Sequence, residues 1–171
     1  TQAYRYYGYE LKFKKRWDEL FANAKAMEKL AEQQKLTEED RSVTPIFVYE
    51  QFFEYYMGVG DDENALAYAR RGLAFHLDSG IEYNIYAGYE SVSKALALGG
   101  RYDEAIEAAR KVYEYGKKNH VLPHYTLGCQ DLLEYMLGQI DRRDIREIVH
   151  ETTGLIETIY REKYKTEFVK R

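Results

Sequence analysis

Several things are scarce in this 171-residue chain, and each scarcity closes a route. A single cysteine, Cys129, rules out an internal disulfide framework and any four-cysteine zinc site. Two prolines are too few for a loop-rich or low-complexity chain and leave room for long uninterrupted helices. No apolar run approaches the roughly 18 residues that a membrane-spanning helix needs. Positive charge is not in excess: the formal net charge is -4, against the basic surplus that phosphate contacts demand of a nucleic-acid binder. The opening Thr-Gln-Ala-Tyr has no apolar core of the kind found in a secretory signal. What is present is ample material for one core, with 45% hydrophobic residues, and a surplus of tyrosine, 18 in all. The expectation is one mildly acidic, cytoplasmic domain spanning 1–171.

Internal repetition organises the chain. From Tyr89 to Lys118 the sequence reads as a helix, a Gly99-Gly100 turn, and a second helix opened by Asp103 and Glu104, whose charges suit the positive end of a helix. The same grammar surrounds Gly58-Val-Gly60 with Asp61 to Ala65, and weaker copies stand at each end of the chain. Aligning the small or apolar residue of each second helix gives Leu20, Ala65, Ala105 and Ile145, at intervals of 45, 40 and 40 residues. The periodicity predicts helices over 2–14, 17–35, 45–58, 62–79, 82–98, 102–118, 123–138 and 142–169. Pro45 and Pro123 are placed at first helical positions, where a missing N–H costs nothing. The stretch 35–44 is read as the one substantial linker. Ile145, Val149, Ile156, Ile159, Tyr160, Tyr164 and Phe168 keep helical spacing past the length of an ordinary hairpin, interrupted by Gly154. The chain also begins without methionine inside an apparent helix and stops inside another, as a piece of a longer protein would.

With these residues in place the chain resembles the tetratricopeptide repeat family. The match falls on Tyr4, Gly8, Leu11, Trp17 and Ala24 in the first repeat, and on Tyr49, Tyr56, Gly60, Ala65, Ala69 and Gly72 in the second. In the third it falls on Tyr89, Ser93, Leu96, Gly100, Tyr102, Ala105 and Ala109; in the fourth, Cys129, Leu133 and Ile145 take positions where aromatic or small residues are usual. A period near 40 exceeds the family's common 34 and is similar to that of its sensory members. The resemblance implies an all-α fold, a right-handed α-solenoid of about four TPR-like hairpins (2–35, 45–79, 82–118, 123–169) with a long C-terminal helix. Each hairpin would bury its apolar stripe only by stacking on its neighbours.

Candidate chemistry is sparse. His120 and His124 have the i,i+4 spacing of a metal pair, but Pro123 between them marks a helix start, so they would straddle a cap. Gly58-Val-Gly60 lacks the third glycine and the preceding strand of a phosphate loop. Lys12, Lys14, Lys15 and Arg16, interleaved with Phe13 and Trp17, read as a solvated turn. No catalytic signature emerges, and the expectation is a module without enzymatic activity, cofactor or metal.

A groove is the best candidate site. The resemblance implies that the first helix of each hairpin lines a concave surface through Arg5, Tyr9, Lys12 and Phe13; Phe47, Glu50, Glu54 and Met57; Glu90 and Lys94; and Gln130 and Glu134. Such a mixture of rings and fixed charges suits an extended peptide. Members of the family that clamp a C-terminal carboxylate use lysine and asparagine in one repeat, asparagine in the next, then lysine and arginine. Arg5, Tyr9, Gln51, Ala87 and Ser91 stand at the corresponding positions here, so the cationic pair of the third repeat is absent. The functional expectation is a protein- or peptide-binding module, the sensory or regulatory part of a bacterial signalling or transcription-regulating protein. The alternative is a scaffold that forms a homodimer through Ile156, Ile159, Tyr160 and Phe168.

Overall fold

The computed structural model describes residues 2–32 and 38–120, together with Gly128 and Asp131. Six α-helices and no strand fill the described residues: α1 Gln2–Phe13, α2 Trp17–Glu32, α3 Glu38–Val59, α4 Asp62–Ser79, α5 Glu82–Leu98 and α6 Tyr102–Asn119. Apart from Gly128 and Asp131, the helices expected over 123–138 and 142–169 lie outside the described residues, as do Cys129, Gln130, Glu134, Ile156, Ile159, Tyr160 and Phe168.

One turn is used three times. Arg16 N–H donates to the Leu11 carbonyl, Asp61 to Tyr56 and Arg101 to Leu96, all at 2.9 Å. This is the six-to-one bond that closes a helix by reversing the chain through one left-handed residue. That residue is Lys15 (φ 53°), Gly60 (φ 79°) or Gly100 (φ 71°). Each turn then opens the next helix, as Leu20, Ala65 and Ala105 donate to the carbonyls of Arg16, Asp61 and Arg101. Those three donors are the residues aligned above, and all are buried, none more than 1% exposed. The residue that closes each turn also holds the one three positions on. Arg16 binds Glu19 and Arg101 binds Glu104 through two hydrogen bonds each, while Asp61 accepts from the Asn64 backbone and side chain. Between hairpins, α4 stops at left-handed Gly80 and α6 at left-handed His120, again 40 residues apart. His120 is thus a helix terminator.

The helices pack in sequence order, each on the next. In addition the backbone of α1 comes close to that of α3, and α3 to α5, whereas the backbones of α2, α4 and α6 do not approach one another as closely. The α1/α3/α5 side is therefore the tighter one. Small residues make this spacing attainable: Ala65, Ala69, Ala95, Ala105 and Ala109 are buried in one cluster with Phe53, Val92, Leu96 and Tyr113. A second cluster of Ala24, Met27, Val48 and Phe52 joins α2 to α3, and Tyr56 and Tyr68 pack against both. Beyond α6, Gly128 lies against the backbone of Tyr113, where a side chain would have no room.

The start of α3 corrects the sequence reading. The helix begins at Glu38, so most of the expected linker is helical and Pro45 sits inside the helix instead of at its first turn. An interior proline forfeits one ladder bond and crowds the preceding turn, usually at a cost of about 3 kcal/mol. Here Thr44 is fully buried, and Ile46 and Val48 are 7% and 4% exposed. Tertiary burial around the proline offsets what the ring takes away, a balance that local propensity does not contain.

Candidate ligand groove

The groove begins with α1. Arg5, Tyr9 and Lys12 recur at helical spacing and share one face, while Gly8 and Leu11 turn into the protein. On α3, Phe47, Glu50 and Glu54 recur likewise, so two stripes of alternating ring and charge confront each other. Gly8 sets their distance: a methyl group there would stand 2.7–2.9 Å from the Gln51 carboxamide. That carboxamide is itself fixed. Asn23 Nδ2 donates to Gln51 Oε1 (2.6 Å) and to the Tyr4 carbonyl (2.8 Å), and Gln51 Nε2 donates to the same carbonyl (3.3 Å) and to Met27 Sδ (3.4 Å). Gln51 and Asn23 are each 7% exposed, so α1, α2 and α3 are locked by a buried polar cluster.

Above this floor lies a cavity of about 200 Å³. Its lining includes Arg5, Tyr9 and Lys12 from α1, Phe47, Glu50, Phe53 and Glu54 from α3, and Ser91 from α5. Lys12 Nζ donates to Glu54 Oε1 at 2.6 Å. The Arg5 guanidinium rests 4.2 Å above the Phe47 ring, and its Nε donates to the Tyr9 hydroxyl at 3.3 Å. Glu50 takes neither cation: no side-chain hydrogen bond or ion pair among the described residues involves its carboxylate. Burial pushes its carboxyl above the ordinary value and Glu54 adds to the shift, while the charges of Arg5 and Lys12 pull the other way. On α5, Lys94 Nζ donates to Glu90 Oε1 at 2.5 Å. Burial works to lower the Lys94 ammonium, but Glu90 outweighs it and the net shift is upward; Asp131 and Glu54 add to the rise.

Six of the residues expected at the groove therefore line one cavity: Arg5, Tyr9, Lys12, Phe47, Glu50 and Glu54. The others go elsewhere. Phe13 is 85% exposed and does not line this cavity. Met57 packs against the core cluster of α3 to α6. Glu90 and Lys94 pair with each other, and Gln130 and Glu134 fall outside the described residues. Gly8, Phe53 and Ser91 join the lining without having been singled out for it, although Gly8 was among the residues matched to the first repeat. Among the described residues no group of three or more potential metal ligands gathers, and no helix is long and apolar enough to cross a membrane.

Chemically, the cavity combines donors (Arg5, Lys12), acceptors (Glu50, Glu54) and rings at fixed positions. Its volume equals that of roughly six or seven waters and falls below the ~300–1,000 Å³ usual for cofactor-sized ligands. It fits a side chain and its adjoining main chain. No family model, curated protein or solved structure matches the chain.

Proposed function

We propose that the chain is a tetratricopeptide-like solenoid that binds an extended protein or peptide segment along the α1/α3/α5 face. In this reading it serves a bacterial signalling or transcription-regulating protein of the cytoplasm as its sensory part. The observation that carries the proposal is the convergence of six side chains from α1 and α3, with Ser91 from α5, on one cavity on the tighter side of the stack. Support for the repeat comes from the threefold turn and its 45- and 40-residue spacing. A ligand touching three successive first helices favours whichever stacking of the hairpins suits it best, and so shifts the population of superhelix curvatures. That differential is the signal.

Affinity selection of random peptides on the full chain, followed by fluorescence anisotropy, tests the reading. Tyr9→Ala and Glu54→Ala are expected to weaken a selected peptide about tenfold, corresponding to ~1.4 kcal/mol each, with melting temperatures close to the parent's. Unchanged affinity in both variants would count against the groove.

A further inference from the structure

Beside the larger cavity lies a smaller one of about 70 Å³, and Glu50, Phe53 and Ser91 line both. The two differ in charge. The larger is balanced, with Arg5 and Lys12 against Glu50 and Glu54. The smaller has no lysine or arginine in its lining, which brings Tyr49, Tyr68 and His76 to Glu50 and Ser91 on a bed of Ile46, Phe53 and Ala69. His76 is depressed below the ordinary histidine value by burial, so at neutral pH it sets no positive charge against an occupant; its Nδ1 is buried with no hydrogen-bond partner among the described residues. Ser91 Oγ donates to the Ala87 carbonyl at 3.3 Å and keeps its lone pairs for another donor.

Glu50 is the unmatched group. Lys12 is engaged by Glu54, and Arg5 by Phe47 and Tyr9. A half-buried carboxylate in a mainly apolar niche favours a donor at close range, and none of the described residues donates a side-chain hydrogen bond to it. A donor small enough for a space of about two waters fits beside it.

We propose that the smaller cavity receives a primary ammonium group of the ligand, with Glu50 as its counter-ion and Ser91 as a second acceptor. The inference rests on the groove reading above and adds to it the chemistry of one anchor. A lysine side chain and a peptide N-terminus both offer that group, and both could enter from the larger cavity past Glu50.

The test is a titration of the isotope-labelled full chain, followed by backbone amide NMR signals of Gly72, Gly88 and Ser91. Two probes separate the sources: N-acetyl-lysine amide, whose only cation is the side-chain ammonium, and glycylglycine amide, whose only cation is the α-amine. Saturable shifts are expected with at least one of them, and whichever responds identifies the source. The Nε-acetylated lysine probe should give none. Glu50→Gln is expected to weaken binding at least tenfold while melting at or above the parent temperature at pH 7, which a merely structural glutamate would not do. Gly72→Ala places a methyl group 3.4 Å from Ile46 Cδ1, fills part of the cavity without altering charge, and should lose the same response. Shifts that fail to saturate, or that survive Glu50→Gln, overturn the ammonium site. The groove stands or falls separately. A fully capped, amine-free peptide that binds the parent and loses affinity in Tyr9→Ala would preserve the groove without the ammonium site; failure of every peptide would remove both.

Discussion

Between α1, α2 and α3 the helices meet through Gln51, Asn23 and the Tyr4 carbonyl, whereas between α4, α5 and α6 the contact layer is largely alanine. The two junctions solve one problem by different means. Alanine lets backbones approach with no polar group to satisfy, so the α4–α6 block gains burial and asks for no particular geometry. The α1–α3 junction is directional: Gly8 must be small, and Gln51 and Asn23 must find each other. The candidate ligand residues stand at the directional junction. A groove that presents charges at set positions needs walls whose spacing is fixed by hydrogen bonds, and the stability for that comes from the apolar block beside it.

Four substitutions can break or sharpen this contrast. Phe52→Ala should act most strongly. Phe52 is fully buried, stacks on Tyr68 at a centroid distance of 4.7 Å and lies where the two packing regimes meet. A loss of about 3–5 kcal/mol is expected in chemical denaturation; a loss under ~1 kcal/mol would show that the regimes do not share a core. Gln51→Leu comes next, at about 1–3 kcal/mol, because Asn23 keeps only the Tyr4 carbonyl. Amide exchange in that variant should quicken in α1 well before α5, and uniform quickening would refute the local role assigned to the polar cluster.

The third is Glu50→Gln, read through pH. A carboxyl whose value in the folded chain is raised above that in the unfolded chain favours folding most below the ordinary carboxylate range, and that contribution is lost as pH rises through the folded value. The melting temperature of Glu50→Gln minus that of the parent should therefore be positive at pH 7 and shrink toward zero near pH 4. Taking the difference cancels the opposite trend of His76, whose lowered value costs stability as pH falls below about 6.5. A difference independent of pH would mean that Glu50 is not desolvated. The smallest effect is that of His120→Gly. His120 ends α6 at a φ of 54°, where its counterpart 40 residues earlier is Gly80. Relief of left-handed strain, about 1–2 kcal/mol, set against the extra chain entropy of glycine, about 0.5–1 kcal/mol, should leave a small net gain, visible as a slight rise in melting temperature. A loss would mean that the imidazole makes a contact worth more than the strain.

Much of the architecture was legible in the residues. Gly60 and Gly100 announced left-handed helix ends, the acidic residues after them announced new helices, and the spacing of Leu20, Ala65 and Ala105 marked the repeat. Lys15 makes the same turn without glycine, and no local signal distinguishes it. Pro45 misdirected the reading, because a rule about the first helical turn was applied where packing of Thr44 and Ile46 overrides it. At the candidate site the stripes of α1 and α3 were legible, but their fates were not. Phe13 and Phe47 look alike in sequence; one is 85% exposed and the other lies beneath a guanidinium.

The sequence by itself determined where the helices stop and turn and at what period, because those features are settled by hydrogen bonds and backbone torsions within a few residues. The tertiary structure alone decided that Lys12 takes Glu54, that Arg5 settles on Phe47, and that Glu50, between two cavities, receives no side-chain donor from the described residues. Partner choice depends on distances between helices far apart in the chain, and those are set by how closely glycine and alanine let the backbones approach.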